Sequence, residues 1–129
     1  MEESESVDER KAAPTQAQGG LTGFHVLDVA VAFIELMPPV IEAVHGLDRS
    51  LADQVKRGSE SIVLNVAEGR RRTGKDRLHC FRIASGSAEE VRAALRVARV
   101  WRYVSPEVLD KPLGLLDRVL AMLWRLERR

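Results

Sequence analysis

Residues 81–104 read FRIASGSAEEVRAALRVARVWRYV, and the spacing of their apolar members decides the fold. Phe81, Ala84, Ala88, Val91, Leu95 and Ala98 step by alternating three and four, which lines up one face of an α-helix over more than two heptads. A second set, Ile83, Ser87, Glu90, Ala94, Val97, Trp101 and Val104, steps by four and three along a neighbouring face. Two stripes on one helix predict two covered faces. One turns into a bundle, and the other meets a further helix or another subunit. This helix is placed over Lys75 to Val104.

The same period recurs on either side. Leu51, Val55, Ile62 and Val66 form the seam of a helix expected from Asp48 or Ser50, both favourable N-caps, to about Gly69. Gly58 in that seam allows close approach of another backbone. The connection from Gly69 to Gly74 is short, so the two helices should be antiparallel neighbours. Upstream, Phe24, Leu27, Val31 and Ile34, then Val40, Ile41 and Val44, predict a helix from Phe24 to about His45. It should kink or break at Pro38-Pro39 and end at Gly46. Downstream, Ser105-Pro106 supplies a cap and a proline at the first helical position. Asp110-Lys111-Pro112 repeats that signal, which predicts a short turn before the main fourth helix. That helix has Leu113, Leu116, Leu120 and Leu123 as its seam, broadened by Val119, Met122 and Leu126. No segment reads as a strand. The expected fold is all-α, an antiparallel four-helix bundle over residues 23–129 behind a disordered acidic N-terminal arm at residues 1–22.

Composition fits that division. Residues 1–20 hold five acids and two bases, a net of −3, so a total of +1 leaves +4 on the other 109 residues. Val7 is the sole hydrophobe larger than alanine between Met1 and Leu21, too little apolar area to offset the entropy of ordering the arm. A chain of 129 residues makes one domain with a real core. Its single cysteine, Cys80, cannot form an internal disulfide, which fits a reducing compartment. The acidic start is the opposite of a secretory signal, and no apolar run approaches the roughly 18 residues of a membrane span. Cytoplasm is the expected location, with no membrane partner.

Residues 54–98 carry a resemblance. Gln54, Lys56-Arg57, Ser61-Ile62 and Asn65-Val66-Ala67-Glu68-Gly69, followed after the loop by Phe81, Ala84, Gly86-Ser87 and Glu90, resemble the four-helix bundle proteins also called 23S rRNA intervening-sequence proteins. The resemblance implies a left-handed four-helix bundle that assembles as a five-subunit ring. A related group, the accessory proteins of diversity-generating retroelements, has a similar ring and is associated with nucleic-acid binding alongside a reverse transcriptase. This sequence departs from the pattern at Ser59-Glu60, at Val63 where proline is common, and at Pro38-Pro39 where the first helix usually continues.

Several features bear on chemistry. Arg70, Arg71, Arg72, Lys75, Arg77 and Arg82 stand against Asp76 within residues 70–82, a net of +5, with His79 among them. Such a corner can neutralise phosphates, and repetition around a ring would add avidity. The plainer reading is a solvated corner whose arginines offset the negative end of the preceding helix dipole. No aromatic side chain interleaves with the run as a stacking platform, since Phe81 belongs to the core seam. Arg92, Arg96, Arg99 and Arg102 could extend the basic surface or pair with Glu89, Asp117 or Glu127.

Arg57, Ser61, Asn65, Glu68, Ser87 and Glu90 are expected to form a structural polar network, with Arg57 reaching Glu90 or Glu68. A di-metal bundle needs paired Glu-x-x-His segments, and Glu42 to His45 gives that spacing once only. His79 and Cys80 are adjacent on a helix, about 100° apart, and do not converge as ligands or as a dyad. Trp101, Val104 and Val97, with Trp124 and Met122, exceed what one bundle buries, which points to an interface; the alternative is that the tryptophans close an end of the core.

These features lead to a non-catalytic homo-oligomer without cofactor, a pentamer if the resemblance holds, that binds RNA or DNA through the basic corner. A protein-interaction scaffold without nucleic acid is the alternative. A metal or small-molecule enzyme, motivated only by Asn65, Glu68 and Glu90, stands last.

Overall fold

The computed structural model describes residues 22–129, as helices α1 (Thr22–Glu35), α2 (Met37–His45), α3 (Arg49–Arg71), α4 (Gly74–Val100) and α5 (Pro106–Glu127). The acidic arm assigned to residues 1–22 lies outside the described residues apart from Thr22, which already belongs to α1. Among the described residues there is no strand.

α1 and α2 form one column broken at Leu36. Pro38 and Pro39 have no N–H to donate to the previous turn, so α1 stops at Glu35 and α2 restarts with proline in its first turn. The buried stripe nevertheless continues across the break as Val26, Ala30, Phe33, Met37, Val40 and Val44. That stripe corrects the predicted seam of α1. Leu27 and Ile34 are only half-buried and Val31 is exposed. Nearly every residue from Val26 to Ile34 is apolar, so spacing alone leaves the inward face undetermined. Asp28 and Glu35, both exposed and seven apart, mark the solvent face together with Val31.

Asp48 caps α3 by accepting the Leu51 N–H at 3.0 Å. The buried face of α3 is Ala52, Val55, Ser59, Ile62, Val66 and Gly69, and the Ser59 hydroxyl donates to the Val55 carbonyl at 2.7 Å. Gly58 and Gly69 let α4 come close. A Cβ on Gly58 would lie 2.5 Å from a Val91 methyl, and one on Gly69 would lie 2.5 Å from Phe81 Cε1. At Gly58 the α4 backbone is also near, the Ser87 carbonyl oxygen standing 3.8 Å from that Cβ position. Gly69 therefore sits within α3, which runs two residues further, and the turn shrinks to Arg72 and Thr73.

All six residues of the first α4 stripe are buried. The second stripe is largely uncovered in the single chain: Ala94 and Val104 are buried, Ser87 is half-buried, and Ile83, Glu90, Val97 and Trp101 are exposed. α4 also ends four residues earlier than its periodicity predicts. Arg102 takes a left-handed conformation (φ 62°), while Tyr103 N–H reaches the Ala98 carbonyl at 2.9 Å and Arg102 N–H the Arg99 carbonyl at 3.0 Å. That is a Schellman closure with arginine in the place usually held by glycine.

α5 corrects a second expectation. No separate turn precedes it; the helix runs unbroken from Pro106 through a buried Pro112. Pro112 is the seventh residue of the helix, so it removes the bond its N–H would make to the Val108 carbonyl, and burial of its ring in the core offsets that loss. The buried face is Leu109, Pro112, Leu116, Val119, Met122 and Leu123. α3 packs on α4, α4 on α5, α5 on α1, and the α1–α2 column on α3, which closes the four-column bundle.

Candidate nucleic-acid interface

The six predicted cations converge on the α3–α4 corner and the first turns of α4, but they do not act alike. Arg77 is structural. Its Nε donates to the carbonyls of Gly69 (3.1 Å) and Arg72 (2.9 Å), and its Nη2 donates to the carbonyl of Arg70 (3.1 Å). The last turn of a helix leaves carbonyls unpaired and partially negative, and a guanidinium from the next helix satisfies several of them at once.

Arg72 is also engaged. Its Nε meets Glu68 Oε2 at 2.5 Å, one helical turn back, and Arg71 Nη1 approaches Glu68 Oε1 more loosely at 3.5 Å. The hydrogen bond from Arg72, then its charge and that of Arg71, hold the Glu68 carboxyl below the usual carboxylate range. Arg71 remains mostly in solvent, and Arg70, Lys75 and Arg82 are exposed. Lys75 and Arg82 have no ion pair among the described residues. The corner thus divides into Arg72 and Arg77, which secure the turn, and an outer set able to meet a ligand anion. Gly74, with φ 58°, lets the chain reverse between them.

The expected polar network is smaller than predicted. Ser61 Oγ and Ser87 Oγ lie 2.8 Å apart and bridge α3 to α4, and Asn65 Nδ2 donates to the Ser61 carbonyl (2.9 Å) and hydroxyl (3.2 Å). Glu68 turns to Arg72 instead. Arg57 and Glu90 are exposed and form no ion pair among the described residues, so the expected contact between them is absent. Both sit at the edge of the α3–α4 interface, where water solvates each charge and no buried charge demands a partner.

Of the arginine ladder, Arg92 pairs with Asp117 (3.5 Å) and Glu89 (3.8 Å), while Glu127 accepts a hydrogen bond from Ser85 instead. The tryptophans do not close the core. Trp101 is 66% exposed and Trp124 57%, whereas Val104 and Met122 are buried. Val97 and Val100 of α4, Trp101 at its C-cap and Leu47 of the α2–α3 turn are exposed apolar residues at the end of the bundle away from the basic corner. The antiparallel pairing of α3 and α4 sets that placement.

Sequence reasoning missed one element. Arg128 lies over Trp124, its guanidinium carbon 3.9 Å from the ring centroid, and its Nη1 donates to the Trp124 carbonyl at 3.1 Å. The four-residue spacing of Trp124 and Arg128 was the available signal. Among the described residues, no group of three or more histidine, cysteine or acidic side chains could hold a metal ion. No described helix is long and apolar enough to cross a membrane.

Comparison with known proteins places this geometry. The model of the family described as 23S rRNA-intervening sequence protein matches residues 33–125. The chain is similar to the crystal structure of a protein of unknown function from the S23 ribosomal protein family of Bacteroides thetaiotaomicron, with a TM-score of 0.76 and 16% identity over 84% of this chain and 99% of that one. At that identity the likeness speaks to the fold. A comparison with curated proteins finds no match.

Proposed function

The chain belongs to the 23S rRNA-intervening sequence protein family, and we propose that it is a non-catalytic, homo-oligomeric helical bundle that binds RNA or DNA through the α3–α4 corner. The observation that carries this reading is the division of labour at the corner. Arg77 and Arg72 take up the local carbonyls and the Glu68 carboxylate, which leaves Arg71, Lys75 and Arg82 facing solvent as an outer cationic set. Cations so placed meet phosphate oxygens without base specificity.

The uncovered second stripe of α4 supports self-association. Ile83, Val97 and Trp101 share a helical face with half-buried Ser87, and Leu64 of α3 is also exposed. A second copy laid on this face would remove that apolar area from water. The resemblance implies five copies, and a ring would multiply a weak corner by avidity.

Filter binding with the full chain and a short RNA at low salt tests the reading. The expected result is retention that is lost when Arg71 and Lys75 are both changed to alanine. Equal retention by the double variant contradicts it. Light scattering tests the assembly. A mass near five times the 14.4 kDa of one chain is expected, and a clean monomer removes the avidity argument.

The exposed Val100, Trp101 and Leu47 favour a second reading, a scaffold that holds a partner protein at the opposite end. A partner that co-purifies through nuclease and high salt, with no nucleic-acid affinity, supports that alternative.

A further inference from the structure

One stripe of α4 leads from the basic corner to the exposed tryptophan of α5. Lys75, Leu78, Arg82, Ser85 and Glu89 are spaced three, four, three and four apart, so they share a face. Lys75 and Ser85 are ten residues apart, which separates them by about 15 Å along the helix axis. The Ser85 hydroxyl donates to Glu127, which ties this stripe to the last turn of α5. Between the two helices lies an open groove of about 530 Å³, bordered by Ser85, Glu89, Leu120, Trp124, Arg125 and Arg128.

The groove has two chemical characters. Its approach is cationic: Lys75 and Arg82 are exposed without ion pairs among the described residues, and Arg125 and Arg128 flank the far end. The lining also holds two acids, Glu127, which accepts from Ser85, and Glu89, 3.8 Å from Arg92; Arg125 and Arg128 balance them, and Lys75 and Arg82 supply the excess positive charge. Its far end is planar and aromatic. Trp124 is 57% exposed, and the Arg128 guanidinium stacked on it is fixed by a hydrogen bond to the Trp124 carbonyl. Cations along a track match a phosphate backbone. A flat indole–guanidinium surface matches the face of a base, which a duplex keeps stacked and hidden.

We infer that the α4–α5 groove is a binding site for single-stranded nucleic acid, with Lys75 and Arg82 on phosphates and the Trp124–Arg128 pair stacking an unpaired base. The inference rests on the corner reading above and adds to it a preference for single strands.

The chain has two tryptophans, so a Trp101→Phe variant of the full chain reports on Trp124 alone. Titrating it with oligothymidylate at low salt should quench its emission in step with binding, whereas a duplex of the same length should bind without quenching. Trp124→Ala should weaken oligothymidylate binding about 5- to 150-fold and leave duplex binding unchanged, while Trp124→Tyr retains most of the affinity. If emission is unaffected and Trp124→Ala binds as tightly as the parent while Arg71 and Lys75 variants still lose affinity, the groove is overturned and the corner stands. If nothing binds, both fall. A change of oligomeric mass in Trp124→Ala assigns the surface to a subunit contact and also overturns the inference.

Discussion

Arg77 Nε, on the first turn of α4, donates to the carbonyl of Gly69 in the last turn of α3 at 3.1 Å. Together with its bonds to the Arg70 and Arg72 carbonyls, this makes Arg77 the clasp of the turn. Arg77→Ala should therefore lower stability by about 1 kcal/mol, the scale of a partly exposed charge-assisted bond. Lys75→Ala should stay within about 0.5 kcal/mol, as expected for a solvated surface residue. Urea denaturation midpoints of the two variants check the contrast.

Gly69 and Gly86 make an opposed pair. A Cβ on Gly69 would stand 2.5 Å from the Phe81 ring, while one on Gly86 would meet nothing within 4 Å. Gly69→Ala should cost about 1–3 kcal/mol by overpacking. Gly86→Ala should gain about 0.5–1 kcal/mol from helix propensity. Thermal unfolding at a concentration where the parent is monomeric reads both signs.

Arg102 holds φ at 62°, a conformation that disfavours a side chain by about 1–2 kcal/mol. Arg102→Gly removes that strain but adds freedom to the unfolded chain, so the net expectation is a gain of up to about 1 kcal/mol. Loss of stability in the glycine variant would show that the arginine side chain secures the α4–α5 turn.

The hydroxyl of Tyr103 donates to Asp48 Oδ2 at 3.3 Å, while the other oxygen of Asp48 caps α3. Burial, then the Asp48 charge and the hydrogen bond to it, push the phenol above its ordinary 10.0. The folded state therefore holds this proton more tightly than the unfolded chain. The resulting stability is complete below the ordinary phenol range and disappears as pH rises through the raised folded value. Because the chain contains one tyrosine, phenolate absorbance follows this group alone. The titration should move part of the way down in Asp48→Asn, where burial still acts, and reach the ordinary range on unfolding.

The parts of this fold that were legible in sequence are those where polar residues constrain the period. The α4 stripe from Phe81 to Ala98 alternates with charges at Arg82, Glu89, Glu90, Arg92 and Arg96 that fall off its face, and it lies buried as predicted. The α1 stripe is not, because an almost unbroken apolar run from Val26 to Ile34 admits more than one inward face. Pro112 reads as a helix start, yet packing at Leu109 and Leu116 carries α5 through it. At the corner, composition located the cations but not their division. Which arginine turns back to cap a carbonyl depends on the three-dimensional closure of the turn, and charge counting does not see it. Arg57 and Glu90 illustrate the reverse error, since opposite charges on facing stripes need not meet when both reach water.

The most direct test of nucleic-acid binding is the salt dependence of affinity for a labelled single-stranded RNA, compared between the parent chain and Arg71→Ala/Lys75→Ala. The parent should lose affinity steeply between about 50 and 200 mM salt, and the double variant should bind more weakly with a shallower slope, by about 0.7 for each phosphate contact removed. Identical slopes for the two proteins, or an affinity in the parent that salt does not change, would contradict the assignment of the α3–α4 corner.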